Sequence, residues 1–169
     1  FVARRCRGGR SSVRGQSFDG QVGGEPGGFD VKARLTSSGA NDTSFGTNGV
    51  AQFALSTVDN RSDRGTTIDV QPDGKILVGG RTRVAAGLGY DFLLMRLDTF
   101  GVRDPLFGTN GVVTTRFPTS THHNLGRRLV LQPDGKIALV GTVTVGAGNQ
   151  CGIARFESNG TLDSGFGIG

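Results

Sequence analysis

Residues able to do chemistry are few in this chain, and their spacing decides what each is for. Asp42, Asp104 and Asp163 each follow an arginine by eight positions, Arg34, Arg96 and Arg155. A carboxylate that returns at a fixed place is a candidate calcium ligand. No D-x-[DN]-x-[DN]-G loop surrounds these three, and no second carboxylate joins them at fixed spacing. They are therefore expected to close Asx-type turns. The recurring arginines could bind a ligand at every repeat. The expected role is structural, with guanidinium donors satisfying carbonyls or an aspartate between repeats.

His122-His123 is the histidine pair of the chain. Neighbours on an extended strand point apart, and no carboxylate or cysteine lies at ligand spacing, so chelation is not expected. No nucleophile partner is identifiable for a general base. Cys151 takes the place of Phe92 and Asp30 in the other repeats. It is not a repeated nucleophile, and a half-buried structural thiol is expected. With Cys6 the only other cysteine and no C-x-x-C pattern, zinc and redox readings fail. Gly87-Leu88-Gly89 does not precede a helix, so no phosphate cradle is read there. The sequence thus offers no catalytic, metal or cofactor-binding residues.

What must position these groups is a repeat. Gln-Pro-Asp-Gly-Lys-Ile begins at Gln71 and again at Gln132, and Phe-Gly-Thr-Asn-Gly-Val at Phe45 and Phe107. The period is 61 or 62 residues. After each of the three arginines, Gly follows at five positions (Gly39, Gly101, Gly160) and Phe-Gly begins at eleven (Phe45, Phe107, Phe166). A degraded trace of the repeat lies at Asp19 to Gly24.

One unit reads as four short strands. Ile68 and Val70 alternate with Thr67 and Asp69, the pattern of a half-buried strand. Pro72-Asp73-Gly74, repeated as Pro133-Asp134-Gly135, is a hairpin turn. Proline presets φ, aspartate supports the turn, and glycine accepts positive φ. Lys75 to Val78 returns as the second strand. Asp91 to Leu97 is the third, with Leu93, Met95 and Leu97 on one face, and Val112 to Phe117 the fourth. Four hairpin-linked strands in about 60 residues is the size of a propeller blade. The fold class is all-β, an incomplete β-propeller segment of tandem four-stranded blades. A β-sandwich is the alternative, though it does not require such repetition. Phe45 and Phe107 are expected to be buried at a blade edge or between blades.

These motifs resemble the delta-60 repeat family, a bacterial β-propeller repeat of undetermined function. Residues 29–169 carry its signature: L/V-Q-P-D-G-K-I, an apolar strand ending in R-L, then G-x-x-D-x-x-F-G-x-x-G-V. Asp104-Pro105-Leu106 departs from the usual D-x-S, and Phe166-Gly167-Ile168-Gly169 ends without the following strand. The resemblance implies a scaffold or interaction module of a large, secreted or surface-attached bacterial protein. Its ligand would be a protein or carbohydrate, and it brings no catalytic residues.

Composition agrees. Of 169 residues 30 are glycine and only 5 proline, with no G-X-Y period, as many tight turns require. No apolar run reaches the roughly 18 residues of a membrane-spanning helix. Arg4, Arg5, Arg7, Arg10 and Arg14 account for the formal charge of +5, so the remainder is electrically balanced. Residues 1–28 read as an Arg/Gly-rich tail. Such an arm can bind an anionic polymer, but its composition points to disorder, and a nucleic-acid partner is not expected. A second alternative is an enzyme whose site lies in blades outside this sequence. Four to eight blades close a propeller, more than this length supplies, so the chain should be an open segment that self-associates or joins further repeats.

Overall fold

The computed structural model describes residues 30–55, 63–83 and 89–167. They form nine strands and no helix, in three antiparallel sheets. A leading pair joins β1 (Asp30–Ala33) to β2 (Val50–Phe53). The middle blade is a meander of β3 (Arg64–Val70), β4 (Ile76–Thr82), β5 (Asp91–Leu97) and β6 (Val112–Thr115). A trailing blade holds β7 (Asn124–Leu131), β8 (Ile137–Val145) and β9 (Gly148–Phe156). By the repeat, β1 and β2 are third and fourth strands, and β7 to β9 are first to third. Among the described residues no helix is long and apolar enough to cross a membrane.

Turn chemistry makes these hairpins. Gly74 and Gly135 sit at φ +87° and +86°, as their motif predicts. Asp73 and Asp134 each accept a bond from the amide two residues on, at 3.1 and 3.0 Å. In the Phe-Gly-Thr-Asn-Gly-Val motif both Asn48 and Gly49 have positive φ, as do Asn110 and Gly111. Thr47 and Val50, and likewise Thr109 and Val112, exchange backbone bonds across them. Paired positive φ in a two-residue loop is the type I′ turn that Asn-Gly favours, a hairpin signal the sequence reading passed over.

A bulge recurs between Gly65 and Thr67 and between Gly126 and Arg128. The glycines opposite explain it: a Cβ on Gly80 or Gly141 would run into the carbonyl of Arg64 or Leu125. The residue released by the first bulge, Thr66, donates its hydroxyl to Gly126 O in the next blade at 2.7 Å.

The expectation of one buried face per strand needs correction. Every residue of β5 is buried, and Thr67 to Val70 are all partly buried without alternation. The reason is that the middle blade is packed on both sides. Ile76, Val78, Met95 and Leu97 pack toward Phe45 and Ala51 of the leading pair. Leu77, Phe92 and Leu94 pack toward Leu129, Ile137 and Leu139 of the trailing blade. Three small sheets stacked face to face are not the two-sheet sandwich; the fold is an incomplete β-propeller segment. Two strand ends also shift. The fourth strand stops at Thr115 rather than Phe117, and the second runs on to Thr82. Cys151 is a free, exposed thiol rather than a half-buried one, because it lies on the outer face of the trailing blade.

Candidate functional site

The repeated polar residues come together at the joints between blades. In the middle blade Arg96 Nε donates to Asp104 Oδ2 at 2.9 Å, while Asp104 Oδ1 accepts the Leu106 amide at 3.0 Å. The leading pair has the same contacts, Arg34 to Asp42 at 2.8 Å and the Ser44 amide to Asp42 at 3.1 Å. The trailing blade repeats them with Arg155 to Asp163 at 2.7 Å and the Gly165 amide to Asp163 at 3.0 Å. Each guanidinium also lies over a phenylalanine ring, Arg34 over Phe45, Arg96 over Phe107 and Arg155 over Phe166, at 4.9, 4.4 and 4.4 Å.

The arginine then reaches the next blade. Arg96 Nη1 donates to Ser158 O at 2.7 Å, and Arg34 Nη1 donates to Thr99 O. Beside it the amide of Gly108 donates to Asn159 O at 2.9 Å, and that of Gly46 to Phe100 O at 2.7 Å. The phenylalanine ring fits beneath the glycine of the same turn. A Cβ on Gly101 would lie 2.8 Å from the Phe45 ring, and one on Gly160 would lie 3.0 Å from the Phe107 ring. Phe45 and Phe107 are 2% and 0% exposed, as expected of packing anchors. Each joint thus holds an Arg–Asp–Phe latch on one blade and a glycine turn on its neighbour.

Lysines of the Gln-Pro-Asp-Gly-Lys motif complete the charge balance, a role the sequence reading missed. Lys75 Nζ lies 2.9 Å from Asp104 Oδ2, and Lys136 Nζ lies 2.8 Å from both Asp163 and Glu157. The signal was available, since each lysine precedes its aspartate by a near-constant interval. The Lys136 hydrogen bond, joined by those from Arg155 and the Gly165 amide, outweighs desolvation and holds Asp163 at about 2. For Asp104 burial pushes upward but loses to Lys75, the Leu106 amide and Arg96, and the net shift is downward. Bonds from Ser44 and then Arg34 lower Asp42 as well. Carboxylates so filled with cationic donors are poorly placed as calcium ligands. Among the described residues no group of three His, Cys, Asp or Glu side chains is placed to hold a metal.

The histidines lie at the opposite end of the strands. His123 stacks on Tyr90 at 5.1 Å between centroids, and Arg81 and Arg83 lie over the same Tyr90 ring at 4.6 and 5.0 Å. Burial first, then the charges of His122 and of Arg83, Arg81 and Arg116, depress the His123 pKa. The two histidine rings are 6.2 Å apart and tilted by 74°. Arg116 pairs with Asp91 at 2.7 Å. This cationic, aromatic cluster is not repeated. Sequence reasoning missed it because Tyr90 meets Arg81, Arg83 and His123 only in the folded chain.

At the outer edge of each joint lies a groove. Between the leading pair and the middle blade it measures about 960 Å³ and is lined by Gly46, Ala51, Phe53, Gly101, Arg103 and Pro105, among others. Its repeat between the middle and trailing blades measures about 380 Å³, lined by residues including Gly108, Val113, Thr114 and Gly160. The glycines that frame the groove recur, as do Thr47 and Val50 in Thr109 and Val112, whereas Ala51 and Gln52 give way to Val113 and Thr114.

A four-strand meander stacked between two partial ones, with its repeated joints, defines a β-propeller segment. Consistently, a family model described as "Domain of unknown function (DUF5122) beta-propeller" matches residues 71–107 and 132–166. Each match runs from the Gln of the Gln-Pro-Asp-Gly turn to the Phe of the latch. No curated protein matches the chain, and no solved structure does.

Proposed function

We propose that this chain is a non-catalytic binding or structural module of the delta-60 type, part of a larger secreted or cell-surface bacterial protein. The observation that supports this is the division of labour at the joints. Arg, Asp, Phe and Gly recur and are occupied by contacts within and between blades, while the groove beside each joint keeps its Gly, Thr and Val and changes the residues next to them. A fixed frame with varied lining is how a scaffold carries different contacts. A groove of this size suits a peptide or a carbohydrate.

Binding of the purified chain to immobilised glycans and peptides tests the reading. Arg103→Ala, at an exposed lining residue, should weaken any captured ligand and leave the unfolding midpoint nearly unchanged. Turnover of a hydrolase or transferase substrate by the full protein, lost on substitutions in its further blades, would replace this reading with the enzyme alternative. Binding to an anionic polymer that vanishes with residues 1–14 and falls steeply with salt would favour the arginine tail. Protease accessibility of the full protein on intact source cells tests the surface location.

A further inference from the structure

The latch end of the middle blade presents side chains that its neighbours do not. Phe100, Val102 and Leu106 are 62%, 59% and 79% exposed. Their counterparts are Ser38, Ala40 and Ser44 in the leading pair, and Asn159, Thr161 and Gly165 in the trailing blade. The turn that carries Phe100 and Val102 is pinned by Asp98. Its Oδ1 accepts their amides at 2.8 and 2.9 Å, and its own amide donates to Val102 O at 2.8 Å. Pro105 fixes φ at the step before Leu106. So exposed, these groups give the fold little burial energy, and a cluster of this kind marks a contact surface. The same segment walls the larger groove, where Val102, Arg103 and Pro105 line the space together with Ala51, Gln52 and Phe53 of β2. Among the described residues Arg103 is the one charged member of that lining, and it makes no ion pair with them. Asn41 and Leu162 stand at its place in the other two blades. The wall formed by β2 is a sheet edge, with β1 its one neighbour among the described residues. The Arg34 amide bonds to Gly49 O and the register sets Lys32 against Ala51. Antiparallel alternation then turns the amide and carbonyl of Gln52 away from β1.

We propose that this turn and groove form a docking site for an extended peptide segment that carries large apolar side chains and a carboxylate. The proposal rests on the groove being a binding site and names what fills it. Charge complementarity selects the carboxylate, because Arg103 is a lone cation with no acidic residue in the lining beside it. The apolar side chains cover Phe100, Val102 and Leu106, which are already held in place and lose little freedom on binding. The backbone of an extended segment can bond to the outward amide and carbonyl of Gln52, as in strand addition to a sheet edge. A carbohydrate would use the polar lining and leave the three apolar groups in water, so the peptide is the better fit. The smaller groove is not such a site, since Leu162 takes the place of Arg103 and Thr161 that of Val102 in the trailing blade.

Selection of a phage-displayed library of random linear peptides on the immobilised full chain tests this. Enriched peptides should combine large apolar residues with Asp or Glu. In fluorescence polarisation with the enriched peptides, Arg103→Glu should weaken binding about tenfold or more, and changing the peptide's acidic residue to Lys should restore binding to that variant. Leu106→Ser and Phe100→Asn install residues that the neighbouring turns already carry. Each should weaken binding by a similar factor and leave the unfolding midpoint in place, which separates loss of contact from loss of fold. No enrichment overturns the proposal. So does enrichment of peptides without an acidic residue, or an affinity that neither Arg103→Glu nor Leu106→Ser changes. If peptides fail while immobilised glycans bind and are lost in Arg103→Ala, the groove remains a binding site and the peptide falls. If neither binds, both fall together.

Discussion

Phe107 and Phe166 occupy the same place in two copies of one motif and live in different surroundings. Both lie under a guanidinium at 4.4 Å, beside an aspartate held by that arginine. Phe107 is also roofed by Gly160 of the next blade, whereas among the described residues no such turn covers Phe166. The latch therefore forms within a blade, by local turn and ion-pair chemistry, without a neighbour. What the neighbour adds is burial, and burial is where most of the energy of an aromatic anchor resides.

Truncating the two rings should separate those contributions most widely. Phe107→Ala is expected to cost about 3–5 kcal/mol, the range for emptying a packed aromatic site. Phe166→Ala should cost about 1 kcal/mol or less, as for partly exposed positions. Urea denaturation of both variants at a concentration where the chain is monomeric checks this, and equal losses would break the comparison.

The arginines give the next largest difference. Arg96→Ala leaves Asp104 buried with only Lys75 for a cation and orphans Ser158 O, so a loss of about 2–3 kcal/mol is expected. Arg155, a quarter exposed at its side chain, should cost about 1 kcal/mol. A double-mutant cycle of Arg96 with Asp104 should show coupling larger than that of Arg155 with Asp163.

The turn glycines sharpen the point further. Gly39→Ala and Gly101→Ala share the left-handed penalty of about 1–2 kcal/mol. Only the second drives a methyl group against the Phe45 ring, so it should cost about 1 kcal/mol more. Identical unfolding midpoints would mean that the ring gives way freely.

Acid titration is the finest probe. Asp163 sits at about 2, below its ordinary 3.8, so its contribution is complete above about pH 4 and is lost as pH falls through its folded value. Asp42 and Asp104 act in the same direction. His123 is depressed below 6.5, so it begins an earlier loss as pH drops under that value. Lys136, raised above 10.5, loses its contribution at the alkaline end. Asp163→Asn should flatten the acid limb of stability against pH, and an unchanged limb would mean that the pair is screened by solvent.

Local elements were legible from the sequence because short segments determine them. Pro-Asp-Gly dictates a turn through φ preferences and one side-chain bond, and Gly74 and Gly135 adopt it. The period put each of Arg34, Arg96 and Arg155 eight residues before an aspartate, but the expected aspartate partner lay between blades, whereas the pairs form within one blade on adjoining strand and turn. The strand phase of β5 was read as one buried face because alternation records a single interface. Its second interface joins Phe92 and Leu94 to Leu129, Ile137 and Leu139, distant in sequence, and leaves no periodic mark when both faces are apolar.

The sequence by itself thus determined the repeat, the hairpins and the Arg–Asp–Phe latch, all set by neighbours within about a dozen positions. Only the tertiary structure decided which latch is roofed. Asp104 and Asp163 carry the same motif, and so do Phe107 and Phe166, yet stacking alone separates a buried anchor from an exposed one. Identical local sequence cannot encode that difference, because burial depends on what another sheet brings into contact.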